Sequence, residues 1–162
     1  MDVLIPTKIL RKGVKLPKYQ TDGSSAVDLQ AFGFSVIDKE AKEVTLDFPM
    51  GITMQPGSRV IAKTGLAVAV PDGYELQIRP RSGLAIKVGL TVLNSPGTID
   101  SDYRGEIGVI LHNTDPTGIV QVHIGDRVAQ LVIQKVSKII FIKVDELPET
   151  DRGTGGFGST GK

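Results

Sequence analysis

Short runs of valine, isoleucine and leucine, interrupted by polar positions, recur through most of the chain. Val60–Lys63, Leu66–Val70, Tyr74–Arg79, Leu90–Leu93, Ile107–Leu111, Ile119–Val122, Arg127–Gln134 and Lys138–Val144 have the length and residue types of β-strands. Gln55-Pro56-Gly57, Pro71-Asp72-Gly73, Ser95-Pro96-Gly97 and Asp115-Pro116-Thr117-Gly118 punctuate them as turns. Only Ser82–Val88 reads as helical, and it is too short to carry a crossover between parallel strands. Many short strands without alternating helices predict an all-β fold, a sandwich or barrel. No repeat of fixed period divides the chain. The expected organisation is one β domain over residues 1–147 and a glycine-rich arm over 148–162.

Composition narrows the picture. With 162 residues, one domain can bury roughly 70% of the surface its unfolded chain exposes. The 19 basic and 18 acidic side chains make no field of one sign, which argues against DNA, RNA or an anionic membrane as the main partner. The absence of cysteine excludes disulfides and thiolate metal sites. Pro6, Lys8, Arg11 and Lys12 interrupt the apolar positions of the N-terminus, and 18 consecutive apolar residues occur nowhere. The expectation is a soluble protein of the cytoplasm, or of the host-cell interior if the chain is viral.

The candidate chemistry lies in polar segments between the strands. Arg152, Gly153, Gly155, Gly156, Phe157, Gly158, Ser159 and Thr160 combine a guanidinium, two hydroxyls, open backbone amides and one aromatic face, a set suited to closing over a nucleotide with a phosphate chain. Ordering such backbone costs about 1 to 2 kcal/mol per residue, so the arm is expected to stay mobile until a ligand compensates. Arg81, Ser82 and Gly83 place three different donors directly after a strand; the alternative reading is an ordinary strand exit with a surface arginine. Residues 94–107 form a hairpin-like run in which Asp100 and Asp102 are expected to act separately, one facing a site and the other solvent. Asp126 and Arg127 read as an ion pair at a turn or between subunits, and His112 and His123 carry no assignment.

Five segments, Ala26–Leu29, Pro80–Ala85, Asn94–Gly108, Gly125–Gln130 and Arg152–Thr160, resemble in order and spacing the five motifs of the homotrimeric dUTPase family. The resemblance covers nearly the whole chain. It implies a jelly-roll-like distorted barrel, a homotrimer with shared active sites, and hydrolysis of dUTP to dUMP and pyrophosphate with Mg2+ on the phosphate chain. Such an activity supplies dUMP for thymidylate synthesis and keeps uracil out of DNA. By the same resemblance, Asp100 would activate the water that attacks the α-phosphorus, assisted by Gln130, and would touch the sugar 3′-hydroxyl. Tyr103 would lie under the deoxyribose. Asn94, Gly97, Thr98, Ile99 and Gly108 would line the base hairpin, and Arg81, Ser82 and Gly83 would hold phosphates. Arg152 would reach the terminal phosphate, Phe157 would stack on uracil, and Gly158, Ser159 and Thr160 would close the lid. Asp28 would approach the metal through water.

Two features depart from the family pattern. Ser25-Ala26-Val27-Asp28 lacks a glycine usual before the aspartate, and the stretch from Asp38 to Met50 is longer than the family minimum, an extra loop or hairpin. Two other functions stay open at this level: a dCTP deaminase on the same fold, and a nucleotide-responsive regulatory protein on that scaffold.

Overall fold

A computed structural model describes residues 2–156. It contains twelve strands and one short helix among those residues: β1 (Thr7–Ile9), β2 (Val27–Gln30), β3 (Gly33–Ile37), β4 (Glu43–Leu46), β5 (Gly51–Met54), β6 (Arg59–Val68), β7 (Tyr74–Arg79), α1 (Ser82–Val88), β8 (Leu90–Val92), β9 (Gly97–Ile99), β10 (Glu106–Asn113), β11 (Val120–His123) and β12 (Arg127–Lys135). All pairings are antiparallel. One sheet runs β4-β3-β6-β10-β8, with β1 also on β6; a second runs β2-β12-β7-β9; β11 and β5 form a separate pair.

The core lies between the two larger sheets. Leu29 of β2, Phe34 of β3, Ala62 of β6, Ile107, Val109 and Leu111 of β10, and Ala129 of β12 are fully buried. Burying a phenylalanine such as Phe34 stabilises the fold by about 1.5 to 3 kcal/mol. Strand β10 displays the underlying period of two, with Ile107, Val109, Leu111 and Asn113 buried and the residues between them half-buried. The buried amide of Asn113 is satisfied: its Nδ2 donates to Met54 O and Gly118 O, and its Oδ1 accepts from Asp115 N.

Two expected runs, 60–63 and 66–70, are a single strand. The interruption between them is a bulge, where β10 pairs Glu106 with Ala67 and then Gly108 with Lys63. Gly65 takes φ +70° there, and a Cβ would strike Val14 and Arg11. The stretch 38–50 is accounted for largely by the β3–β4 hairpin and its turn. The predicted helix Ser82–Val88 is present with those bounds.

The predicted strand Lys138–Val144 is not formed. The last strand ends at Lys135, and residues 137–150 are exposed and make no ladder. Ile140 and Phe141 are 85% and 91% exposed. A strand needs a neighbour for its backbone groups, and the described chain offers none at this place. No described helix is long and apolar enough to cross a membrane.

Candidate active site

Residues of the expected hairpin-like run converge on a pocket, although its two strands pair apart, β9 with β7 and β10 with β6 and β8. Thr98, Ile99, Asp100, Tyr103 and Gly108 line a cavity of about 290 Å³ together with Glu43, Ile61, Lys63, Glu106 and Ile110. Register explains the floor: Gly108 lies opposite Lys63 and Ile110 opposite Ile61, so these four share the outer face of the β6–β10 pair. Gly108 leaves the space, since a Cβ would sit 2.8 Å from Ile61 Cγ2. Strand β9 ends at Ile99, and the turn that follows is closed by Tyr103 N–H donating to Asp100 O at 3.2 Å. Asp100 faces the pocket and Asp102 does not line it. Asn94 and Gly97 support the hairpin from outside the cavity, Gly97 opposite Ile78 and in close approach to the Asn94 side chain.

A chain of charges surrounds this pocket. Glu106 Oε1 and Oε2 accept from Arg11 Nε and Nη2 at 3.0 and 3.1 Å, and Oε1 accepts from Gly65 N at 2.7 Å. Lys63 Nζ lies 3.7 Å from Glu106 and 2.9 Å from Glu43, which also accepts from the buried Ser35 hydroxyl. Burial pushes the Glu106 carboxyl up, but the Arg11 and Gly65 hydrogen bonds and the nearby cations outweigh it and hold it below the usual range. The Lys63 and Ser35 hydrogen bonds lower the Glu43 carboxyl in the same direction. The bond to Glu106 raises the Arg11 guanidinium despite its partial burial.

A second cluster forms where β2, β7 and β12 meet. Gln130 is opposite both Asp28 and Arg79. Asp28, with a side chain 8% exposed, pairs through Oδ2 with Arg127 Nη1 at 3.1 Å. Its Oδ1 lies 3.3 Å from Arg81 Nε without the alignment of a hydrogen bond, and so remains a buried acceptor lacking a donor. Arg81 Nη1 donates to Arg127 O, and Ser82 and Gly83 follow on the exposed first turn of α1. Arg127 therefore pairs with Asp28, within the chain and across 99 positions, while Asp126 accepts from His123 N at its turn. Among the described residues no three His, Asp or Glu side chains converge on a cation position. Two guanidiniums approach Asp28, so direct metal coordination does not fit.

The two clusters are separate within one chain. Leu76 pairs with Ile99 and Ile78 with Gly97, so Asp100 falls beside Glu75, whereas Arg81 lies beyond Arg79 at the opposite end of β7. Glu75 to Arg81 along extended backbone spans on the order of 20 Å. Gln130, across β7 from β9, is on the order of 15 Å from Asp100 by the same spacing and the strand separation. No residue lines both the pocket at Asp100 and either cavity beside Arg127. Arg152 is exposed, its Nε donating to Gly155 O at 2.8 Å, and touches neither cluster by hydrogen bond. Phe157, Gly158, Ser159 and Thr160 lie outside the described residues.

Sequence reasoning missed Glu43, Ile61, Lys63, Glu106 and Ile110. One signal was available: Lys63 is a lone cation in the run Val60-Ile61-Ala62-Lys63-Thr64-Gly65-Leu66, and a charge there calls for a partner.

The dUTPase family model matches residues 39–161. Deoxyuridine 5'-triphosphate nucleotidohydrolases of Fusobacterium nucleatum and Dinoroseobacter shibae are 45% and 50% identical, covering 98% and 93% of this chain and 98% and 90% of their own. The dUTPase of Staphylococcus bacteriophage 80alpha, solved as a variant with dUpNHpp, superposes with a TM-score of 0.79 at 22% identity, over 98% of this chain and 99% of that one. The dUTPase of phage phi11 of S. aureus, described with a structural Mg(II) ion, does so with a TM-score of 0.71 at 20% identity, over 89% and 98%. The two structures share the fold; the family-model match and the two enzyme relatives, over nearly all of the sequence, mean that this chain belongs to the dUTPase family.

Proposed function

We propose that this protein hydrolyses dUTP to dUMP and pyrophosphate. The observation that carries the reading is the hairpin pocket, in which Asp100 and Tyr103 flank a floor kept open by Gly108. A planar pyrimidine fits between the hairpin and that floor, its polar edge met by backbone groups of residues 97–99. Cytosine inverts donor and acceptor at two ring positions and would leave buried groups unpaired, a penalty that reaches about 10⁴-fold. Thymine adds a methyl group to a floor that Gly108 barely clears. Tyr103 takes the space of a ribose 2′-hydroxyl.

Asp100 orients the attacking water and receives its proton, which supplies roughly 10² to 10⁴-fold. Gln130 holds that water from the other side, while Arg81, Ser82 and Gly83 bind phosphate oxygens and Arg152 reaches the terminal phosphate. Phe157 covers the base, and Gly158, Ser159 and Thr160 exclude water over it. Mg2+, when bound, would neutralise charge on the phosphate chain, and Asp28 would approach it through water rather than coordinate it. Residues 148–162 act as the closing arm.

The active unit is a homotrimer whose sites are shared. Two observations support this: Asp100 and Gln130 stand too far apart in one chain to hold the same water, and residues 137–147 expose a run of apolar side chains that pairs with no strand among the described residues. Each site then takes its base hairpin from one subunit and its phosphate ligands from another. Ile139–Val144 becomes a strand upon a neighbouring copy.

The test is pyrophosphate release from dUTP with magnesium, beside dCTP, dTTP and UTP. Release confined to dUTP, lowered at least about 10²-fold in Asp100→Asn, is expected. No release from dUTP removes the reading, and ammonia from dCTP would replace it with a deaminase.

A further inference from the structure

Tyr103 is 43% exposed, so burial holds only part of its ring. Its hydroxyl donates to the backbone carbonyl of Glu106 at 3.0 Å, its recorded hydrogen bond among the described residues. A Cβ on Gly105 would overlap that hydroxyl, so the ring lies directly against the backbone between the two residues. The location of the phenol therefore depends on the location of Glu106 O.

Ladder pairing places Glu106 opposite Ala67 of β6, at the first position of β10. Glu106 stands at the register shift between β10 and β6. Its carboxylate takes over the role of a ladder acceptor, receiving Gly65 N at 2.7 Å. The same carboxylate is gripped at both oxygens by the Arg11 guanidinium, from the loop after β1, and approached by Lys63. Only arginine presents two parallel donors in this geometry; a lysine at this position would make one contact.

We propose that Arg11 and the Glu106 side chain are positioning residues that hold Tyr103 in place and so set discrimination against a ribose 2′-hydroxyl. The proposal rests on the reading of Tyr103 as the floor of the sugar site. A merely stabilising ion pair in this half-exposed setting would add little to stability and nothing to selectivity.

The experiment compares wild type, Arg11→Ala, Arg11→Lys and Glu106→Ala for dUTP and UTP turnover, alongside 19F NMR of protein labelled with 3-fluorotyrosine. Tyr103 is one of three tyrosines, and Tyr103→Phe identifies its signal. In Arg11→Ala the ratio of kcat/KM for dUTP over UTP should fall about tenfold, mainly through a gain with UTP and a raised KM for dUTP. Arg11→Lys should recover part of it. The Tyr103 fluorine signal should shift and broaden, with those of Tyr19 and Tyr74 unmoved. An unchanged ratio and an unmoved Tyr103 signal in Arg11→Ala would overturn the proposal, whatever happens to Tm. If Glu106→Ala does not fold, the two Arg11 variants decide alone. Wild type inert towards dUTP would defeat the activity reading, and the fluorine signal would still judge the clamp.

Discussion

The two ends of the β7–β9 pair differ in how they hold polar groups. At the Glu75 end, the hairpin pocket is framed by backbone, by small residues at Gly105 and Gly108, and by carboxylates neutralised by Arg11 and Lys63. At the Arg79 end, two guanidiniums converge on one buried aspartate, and α1 begins with exposed donors. The first end has shape and little net charge, which suits a nucleobase and sugar. The second has positive charge in excess of its single carboxylate, which suits phosphates. On the proposed function, selectivity and charge stabilisation are thus built at separate places on one subunit, and a complete site takes both.

Substitutions at the charged end should reduce kcat most. Arg81→Lys keeps a charge but loses the planar fork that contacts Asp28 and Arg127 O, so kcat for dUTP should fall roughly 10² to 10³-fold in steady-state assays while the base pocket still binds dUMP. At the shaped end the effect should appear in KM. The methyl of Gly108→Ala would press on Ile61, and KM for dUTP should rise about tenfold with kcat changed less. If Arg81→Lys altered only KM, or Gly108→Ala only kcat, the division between the ends would be wrong.

The smallest effect concerns acid. Glu106 and Glu43 are held below the usual glutamate range in the folded protein, so on acidification the unfolded chain takes up protons first. Their stabilisation is fully present above the ordinary glutamate pKa and is lost as pH falls through their folded values. Tm measured between about pH 6 and pH 3 should fall, and fall less steeply in Glu106→Gln. An identical slope in both proteins would show that the clamp does not carry this linkage.

Much of this was legible in the sequence wherever a function sits on consecutive residues. The strand Tyr74–Arg79 and the helix Ser82–Val88 stand between strong turn signals and fold as read, whereas the run 94–107 is not a paired hairpin, since β9 joins β7 while β10 joins β6 and β8. Strands β1 to β5 were not among the expected runs; Thr7–Ile9 and Glu43–Leu46 are mostly exposed and alternate too weakly to mark a face. The partnerships at both ends depend on cross-strand register: Lys63 reaches Glu43 and Glu106, and Asp28 reaches Arg127, because strands distant in sequence lie side by side. Lys138–Val144 has strand composition and no ladder partner among the described residues, so its pattern was readable while the missing pairing was not.

Subunit mixing tests the shared site most directly. Asp100→Asn and Gln130→Ala chains, each nearly inactive alone, are co-expressed with different tags, and hybrids carrying both tags are isolated. If Asp100 of one copy works with Gln130 of another, each isolated hybrid trimer keeps one intact site of three, and about a third of wild-type activity should return. Hybrids that assemble yet show no activity above the two parents would place both residues in one chain's site and contradict the account.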